Sequence, residues 1–193
     1  PKTALISVSN KSGVLTFAKL LQKNGVKIFA TGGTASALKG AGIKVSKVSS
    51  ISRFPEIFGG RVKTLSPYIS GGILGQRDKD KAEAKKNNIT WIDLVVCNLY
   101  PFSDVAKKTN STMDEKIENI DIGGPTMIRA AAKNFKWVSV VVSPKDYRSV
   151  GTAISSGGLT EKRRFSLAKK AFGHCAEYDL SLIHISEPTR RAI

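Results

Sequence analysis

Two glycine-containing stretches, far apart in the chain, each stand just ahead of a predicted helix. They are Thr31-Gly32-Gly33-Thr34 and Ile120-Asp121-Ile122-Gly123-Gly124-Pro125-Thr126. Small residues before a helix let backbone N–H groups and the helix dipole hold an anion. Between the two stretches, Gly60-Arg61-Val62-Lys63-Thr64 adds two cations and a hydroxyl. Together these segments predict an enzyme that acts on a small phosphorylated substrate.

The turn at residues 31–34 has a structural alternative, a tight strand-to-helix connection that binds nothing. Its glycines let a phosphate approach the backbone closely, but a Gly-Gly turn alone does not decide between the two. Ser9 and Lys11 follow a neighbouring predicted strand and favour phosphate, because they add a hydroxyl and a point charge. For Arg61 and Lys63, a solvated basic turn is the simpler explanation on the sequence alone.

Three further residues could carry acid–base chemistry. Asp121 lies in an apolar frame, where a buried carboxylate must be paired or hydrogen-bonded, but it could equally cap a helix. Lys133 ends a small-residue helix, a position that the helix dipole also favours. Tyr100 is either a packing residue or a phenol aimed into the site. His174 is the only histidine outside residues 180–193, so a Ser–His–Asp triad is not expected.

No cluster of side chains has metal-ligand spacing. The available acid–base groups are therefore Lys, Asp and Tyr. They suit proton shuttling in a cyclisation or a dehydration, with phosphate as the handle.

Composition narrows the class of protein. The 193 residues include 31 Lys and Arg against 15 Asp and Glu, a net charge of +16. Nucleic-acid binding would explain this charge, and a salt-dependent shift of DNA mobility would test it. The lysines are scattered without interleaved aromatic residues, however, which favours a lysine-rich surface.

The sequence also predicts a location. No apolar run is long enough to span a bilayer and no signal peptide is recognisable, so no membrane partner is expected. Cys97 and Cys175 form no disulfide framework, and Cys97 lies in an apolar run that predicts a buried thiol. Both features suit a reducing cytosol, so we expect a cytoplasmic protein.

Apolar β-branched runs alternate with amphipathic segments along the chain. Strands are predicted at 4–8, 26–30, 43–48, 91–99 and 138–142. Helices are predicted from an N-cap at Ser12 to Asn24, and at 34–39, 78–87, 114–119, 125–133 (with Pro125 near its first position), 145–156 and 161–178, with a long loop at 49–72. This alternation predicts an α/β fold, a parallel sheet flanked by helices, with ligands beyond the carboxyl ends of the strands.

An ordered set of motifs carries a resemblance to a known family. The motifs are Ser7-Val8-Ser9-Asn10-Lys11, Thr31-Gly32-Gly33-Thr34-Ala35, Phe54-Pro55-Glu56, Gly60-Arg61-Val62-Lys63-Thr64-Leu65, Asn98-Leu99-Tyr100-Pro101-Phe102, Glu118-Asn119-Ile120-Asp121-Ile122-Gly123-Gly124-Pro125-Thr126 and Arg129-Ala130-Ala131-Ala132-Lys133-Asn134. They resemble the N-terminal half of the bifunctional purine biosynthesis family, which combines a formyltransferase with IMP cyclohydrolase. The resemblance covers residues 2 to about 179.

The resemblance implies a methylglyoxal-synthase-like, Rossmann-like layered domain. It implies closure of the second purine ring, in which 5-formamidoimidazole-4-carboxamide ribotide loses water and forms IMP. It further implies no cofactor for this step, formyl-tetrahydrofolate only for a formyltransferase domain absent here, and a homodimer formed through the larger half of the protein.

The resemblance also implies site residues by matched motif. Four are implied in proton transfer and oxyanion stabilisation: Lys63, Tyr100, Asp121 and Lys133. We assign Lys133 to the formyl oxygen or the leaving water and Asp121 to the carboxamide. The residues implied in substrate and phosphate binding are Ser9, Asn10, Lys11, Thr31, Gly32, Gly33, Thr34, Arg61, Thr64, Asn98, Leu99, Ile122 and Gly123.

Two positions depart from the family pattern. Asn10 stands where Asp is usual, a change that should be tolerated, and Ser66 stands where His is usual. A non-catalytic nucleotide-binding regulatory domain of the same fold remains the alternative function. Methylglyoxal synthase is disfavoured because no suitable histidine is present.

The expected domain organisation has three parts. Residues 1–150 form the catalytic core, and 151–179 begin the connection to the absent formyltransferase domain. Residues 180–193 resemble a translated transposon-end adapter used in DNA library preparation, so they are expected to be non-native.

Overall fold

The protein contains a five-stranded parallel sheet with strand order β3-β2-β1-β4-β5. The computed structural model describes residues 1–100 and 112–186. Its strands are β1 (Thr3–Val8), β2 (Lys27–Ala30), β3 (Ser46–Lys47), β4 (Leu94–Asn98) and β5 (Ser139–Val141). The predicted α/β class, a parallel sheet flanked by helices, is confirmed.

Helices connect the strands and cover both faces of the sheet. They are α1 (Val14–Lys23), α2 (Gly32–Gly40), α3 (Ser49–Ser52), α4 (Pro67–Leu74), α5 (Lys81–Lys86), α6 (Met113–Glu118), α7 (Gly123–Lys133), α8 (Tyr147–Ser155) and α9 (Glu161–Ser186). Short 3-10 turns occupy Phe58–Gly60 and Pro144–Asp146. The motif residues Pro101 and Phe102 and the tail from 187 onward lie outside the described residues.

Side chains alternate between two apolar layers because successive residues of a strand point to opposite faces. Leu5 of β1 pairs with Phe29 and Val95 and faces α4, α7 and α9. Its neighbours Ala4 and Ile6 face α1 and α8 on the other side. The sheet is therefore buried on both faces, as its β-branched runs predicted.

The predicted buried face of α1 is confirmed, since Val14, Phe17, Ala18 and Leu21 are its buried residues. The predicted N-cap at Ser12 is wrong. Gly13 occupies that position with φ +70°, a left-handed conformation that a side chain rarely adopts. The Ser12 N–H instead donates to Asn10 Oδ1 at 2.9 Å, inside the turn that leaves β1.

The predicted third strand is largely wrong, because only Ser46–Lys47 pairs with β2. Earlier in that segment the Lys44 N–H donates to the Gln22 side chain at 3.2 Å, so the chain joins the sheet only at the carboxyl end of β2. The predicted long loop at 49–72 is wrong at both ends, where α3 and the first part of α4 form, whereas residues 53–66 between them contain no helix beyond a short 3-10 turn.

The helix α4 forms despite its two glycines because Ile69 and Ile73 are buried in the core. A Cβ at Gly72 would meet the Thr90 carbonyl oxygen at 2.3 Å, so glycine permits a close approach there. Intrinsic helix propensity counts glycine as unfavourable and takes no account of the close packing that glycine allows here.

The C-terminal helix α9 packs on α7 and β5, and its residues Ala168, Ala171, Cys175 and Tyr178 join the core. It continues to Ser186, past residue 179, where the native sequence was predicted to end. The proposed three-part division stays a prediction. Within the part of the chain that the structure describes, no helix combines the length and apolar character needed to cross a membrane.

Candidate active site

A cavity of about 630 Å³ opens at the edge of the sheet where β1, β2 and β4 end. Because the strands are parallel, their carboxyl ends meet at this edge. The order of the sheet places β1 between β2 and β4, so connections diverge on its two sides. Ligand sites of open parallel sheets lie at such a divergence. The cavity volume falls in the range of sites for small molecules.

Most of the predicted site residues line this one cavity. Those that do are Ser9, Lys11, Thr31, Gly33, Thr34, Arg61, Lys63, Thr64, Asn98, Tyr100, Asp121, Ile122 and Gly123. Asn10, Gly32, Leu99 and Lys133 are not among the lining residues. The structure thus brings together side chains that are more than a hundred residues apart in the sequence.

The threonines of the 31–34 turn hold the turn on the sheet. Thr31 Oγ1 lies 2.8 Å from Ser7 Oγ. Thr34 Oγ1 accepts from the Val8 N–H at 3.1 Å and donates to the Val8 carbonyl at 3.2 Å. The anion-binding capacity of this turn therefore lies mainly in the first N–H groups of α2, which lack partners within the helix.

One of these N–H groups already has an anionic partner. The Gly32 N–H donates to Glu56 Oε1 at 3.3 Å. Glu56 belongs to a motif that the sequence singled out, but no role was predicted for it. A carboxylate at this position indicates that the start of α2 attracts negative charge.

Asn98 holds the loop that follows β1. Its Oδ1 accepts from the Ser9 N–H at 2.8 Å and the Asn10 N–H at 2.9 Å, and its Nδ2 donates to the Asn10 carbonyl at 3.0 Å. All three bonds join Asn98, at the end of β4, to Ser9 or Asn10 of this loop. Asn98 is itself buried. Asn98 therefore shapes the phosphate side of the cavity by positioning Ser9 and Lys11.

Asp121 is half-buried at the start of α7, and its Oδ1 accepts from the Gly124 N–H at 2.8 Å. Asp121 therefore accepts a hydrogen bond in the first turn of the helix and also lines the cavity, so the two explanations offered by the sequence are compatible. Burial raises the pKa of Asp121, while the bond from Gly124 and the nearby Lys63 ammonium act in the opposite direction. A carboxylate with a raised pKa is better matched to proton transfer near neutral pH.

Two glycines allow the close packing around Asp121. A Cβ at Gly124 would lie 2.5 Å from Asp121 Oδ2 and 2.6 Å from Leu99 Cδ2. A Cβ at Gly123 would lie 2.6 Å from Thr64 Oγ1. The sequence predicted that this helix begins at Pro125. In the structure α7 begins two residues earlier, at Gly123, so Pro125 is its third residue. Leu99 packs behind the site instead of lining it.

Arg61 lies at the exposed mouth of the cavity, where its guanidinium is paired with Glu118 of α6. This pairing raises the pKa of Arg61 and lowers that of Glu118. Glu118 lines the cavity, and although the sequence quoted it within a motif, no role was predicted for it. A ligand that uses Arg61 must therefore compete with a carboxylate.

Lys133 lies at the opposite end of α7 from the cavity. Lys133 is the last residue of this helix and follows Gly123 by ten positions, a distance of about 15 Å at 1.5 Å per residue. Lys133 is exposed there. Its assignment to the formyl oxygen stays a prediction that this arrangement does not support.

Cys97 and Cys175 are both free and buried, and the prediction of a buried thiol at Cys97 is confirmed. Burial raises the pKa of each, most strongly for Cys97, so neither is a nucleophile at neutral pH. In residues 1–100 and 112–186, no group of His, Cys, Asp and Glu side chains is arranged to hold a metal ion.

Two family models match the chain. The model described as MGS-like domain matches residues 13–126, and the model described as AICARFT/IMPCHase bienzyme matches residues 131–190. The chain belongs to the MGS-like domain family.

Curated relatives of this MGS-like domain are named bifunctional purine biosynthesis protein PurH. The relative from Thermoanaerobacter sp. (strain X514) is 55% identical over 186 residues, which cover 95% of this chain and 36% of the relative. The relative from Neisseria meningitidis serogroup A is 50% identical and covers 92% of this chain and 34% of its own length. The chain therefore spans about a third of the length of the curated relatives it matches.

A solved structure, entitled "Crystal structure of ForH", has the same fold with a TM-score of 0.83 and 35% sequence identity. The match covers 96% of this chain and 98% of that chain. A chain of nearly this extent has thus been solved with this fold.

Proposed function

We propose that this chain catalyses the IMP cyclohydrolase reaction, the closure of 5-formamidoimidazole-4-carboxamide ribotide to IMP with loss of water. The observation that carries the proposal is a single cavity lined by two kinds of group. Ser9, Lys11 and the start of α2 suit a phosphate, while Lys63, Tyr100 and Asp121 suit proton transfer. The names of the curated relatives support purine biosynthesis as its context.

The reaction balances without a cofactor. The carboxamide nitrogen attacks the formyl carbon, so a C–N bond forms while the formyl oxygen gains a proton. The resulting carbinol then loses its C–O bond as a ring C=N bond forms to the former formamide nitrogen, and the hydroxyl leaves as water with the proton that this nitrogen gives up. Because nucleophile and electrophile are in one molecule, the protein has mainly to hold the folded conformer and to move two protons.

Asp121 is proposed as the base that takes the proton from the carboxamide nitrogen. Gly124 holds its Oδ1, and the raised pKa of Asp121 improves its match to a weakly acidic N–H. Lys63 is proposed to face the formyl oxygen, because its ammonium lines the cavity and acts electrostatically on Asp121. Tyr100, 45% exposed at the end of β4, is proposed to donate to the leaving oxygen.

The phosphate is proposed to bind across the ends of β1 and β2. Lys11 supplies a charge and the N–H groups of Gly33 and Thr34 supply donors. Ile122 and Gly123 then border the base, and Thr64 and Arg61 the sugar side. A purine ribotide is thus the proposed partner. The homodimer, the cytosolic location and the role of formyl-tetrahydrofolate in a further domain stay predictions.

The test is to incubate the purified chain with the formamido-carboxamide ribotide and follow IMP by absorbance. Asp121→Asn should lower kcat at least a hundredfold, because general-base catalysis typically contributes that much. Asp114→Asn is the matched control, since Asp114 is exposed in the first turn of α6 and does not line the cavity.

Unchanged turnover in Asp121→Asn would remove Asp121 from the mechanism. A folded wild-type chain that binds IMP but forms none would instead identify the alternative, a non-catalytic nucleotide-binding domain. Lys133→Ala belongs in the same series. A large loss of turnover would show that Lys133 reaches the substrate, and unchanged turnover would end its assignment.

A further inference from the structure

The C-terminal helix α9 makes a direct hydrogen bond with the candidate active site. The Asp121 N–H donates to the hydroxyl oxygen of Tyr178 at 2.7 Å. The two residues are 57 positions apart, and Tyr178 lies in the segment that the sequence treated as the start of a connection. Tyr178 is only 6% exposed and does not line the cavity, so it cannot contact the substrate itself.

The hydroxyl is presented by a rigid element. α9 packs on α7 and β5, and Tyr178 lies in the same apolar cluster as Ala171 and Cys175. The next residue, Asp179, pairs with Arg129 of α7. The ring of Tyr178 is thus fixed relative to α7, the helix whose first turn carries Asp121.

The contact completes a two-point attachment of Asp121. Its backbone N–H is held by Tyr178 and its carboxylate by the Gly124 N–H. With both ends held, the side chain of Asp121 keeps one direction toward the cavity. Releasing the backbone end would leave a partly buried N–H without its partner and would let the 120–124 segment shift.

We propose that Tyr178 is a positioning residue that orients Asp121 for proton transfer, and that α9 is therefore part of the catalytic unit. The proposal rests on the proposed function, because it assigns Asp121 the role of base. It differs from simple core packing, which the phenyl ring supplies, because the orienting contact is made by the hydroxyl alone.

Tyr178→Phe isolates that hydroxyl. We expect kcat to fall about tenfold, the size of one lost hydrogen bond in a partly buried position, while KM for the ribotide stays within twofold. KM is spared because the proposed phosphate contacts come from β1, β2 and α2, away from α9. Tyr147→Phe is the matched control, since Tyr147 is equally buried, at 6%, but stacks on Phe17 at the opposite face of the sheet.

A double-mutant cycle separates positioning from a general loss of structure. If Tyr178 acts through Asp121, Tyr178→Phe should change the residual turnover of Asp121→Asn by less than twofold. A full tenfold loss in that background would overturn the proposal. So would unfolding of Tyr178→Phe under conditions in which Tyr147→Phe stays folded, because the hydroxyl would then serve stability.

Amide hydrogen exchange tests the contact without reference to activity. The amide of residue 121 should exchange about tenfold faster in Tyr178→Phe than in the wild type, with amides of β1 unchanged. Equal exchange would overturn the proposed contact even in an active enzyme. A wild-type chain that forms no IMP but shows the faster exchange would refute the proposed function and leave the contact established.

Discussion

The two sides of the cavity are built in different ways. The phosphate side consists of loops that directly follow β1 and β2, and the side chains of Asn98 and Thr34 tie these loops to the sheet by accepting hydrogen bonds from backbone N–H groups. The proton-transfer side consists of Lys63, Tyr100 and Asp121, and of these only Tyr100 follows a strand. The position of Asp121 depends on glycine-mediated packing at the start of α7 and on Tyr178 of α9.

This difference implies a division of labour. A phosphate needs charge and N–H donors, which strand ends and helix starts supply through the backbone. Proton transfer needs side chains aligned to within a fraction of an ångström, which requires packing from several directions. Damage to the first side should therefore raise KM, and damage to the second should lower kcat.

Among variants that leave the proton-transfer side chains themselves unchanged, the largest effect is expected from Gly124→Ala. The new methyl group would overlap Asp121 Oδ2 and Leu99, so kcat should fall about a hundredfold and the free energy of unfolding by about 1–3 kcal/mol. Steady-state kinetics and chemical denaturation measure both. Gly173→Ala on α9 is the control, because open space surrounds that position and alanine should stabilise the helix.

Asn98→Ala should break the phosphate side alone. Removing the amide leaves the Ser9 and Asn10 N–H groups without their acceptor, which should cost about 1–3 kcal/mol of stability. KM should rise about tenfold while kcat changes less than twofold. Asn87→Ala, which removes an exposed amide at the end of α5, is the control. A fall in kcat with unchanged KM would contradict the division between the two sides.

Asp121→Asn should show that the proton-transfer side is built at the expense of stability. Burial raises the pKa of Asp121 above its ordinary value of 3.8, so the folded chain binds this proton more tightly than the unfolded chain. The wild type therefore loses stability as the pH rises from the ordinary value through the raised one. At neutral pH the Asn variant should therefore be the more stable of the two.

The gain of Asp121→Asn should vanish as the pH falls below about 4, where both states of the wild type are protonated. Denaturation at a series of pH values measures this. A variant less stable than the wild type at pH 7 would show that the charge of Asp121 is stabilising.

The smallest effect is expected from Glu118→Gln at the cavity mouth. Its ion pair with Arg61 is exposed to solvent and screened by it, so the free energy of unfolding should barely change. Freeing Arg61 should lower KM for the ribotide two- to threefold at low salt, and added salt should reduce the difference. Glu115→Gln would be a poor control because Glu115 caps α6, whereas Glu161→Gln at the start of α9 avoids the cavity.

Local patterns predicted the sheet and most of its helices well. The apolar runs of β1, β4 and β5 and the face of α1 are encoded in neighbouring residues, so period and residue type suffice. The failures share a tertiary cause. The strand β3 is short because the chain reaches β2 only at the carboxyl end of that strand. The helix α4 forms because its isoleucines are buried in the core.

The residues of the candidate site also fall into two groups, those that local sequence patterns predicted and those whose roles depend on distant partners. Ser9, Lys11 and the 31–34 turn were predicted from strand ends and glycines, and all of these residues except Gly32 line the cavity. Glu56, Asn98 and Tyr178 acquire their roles from partners 24 to 89 residues away. No spacing in the sequence signals such contacts, although Glu56 and Asn98 lie in quoted motifs.

By itself, the sequence determined the α/β class, the family and the residue types available for chemistry. Each of these depends on local periodicity or on motifs that are contiguous along the chain. The tertiary structure decided which of these residues meet, because a contact depends on how helices pack across the sheet. That packing brings Tyr178 to Asp121 and leaves Lys133 at the far end of α7.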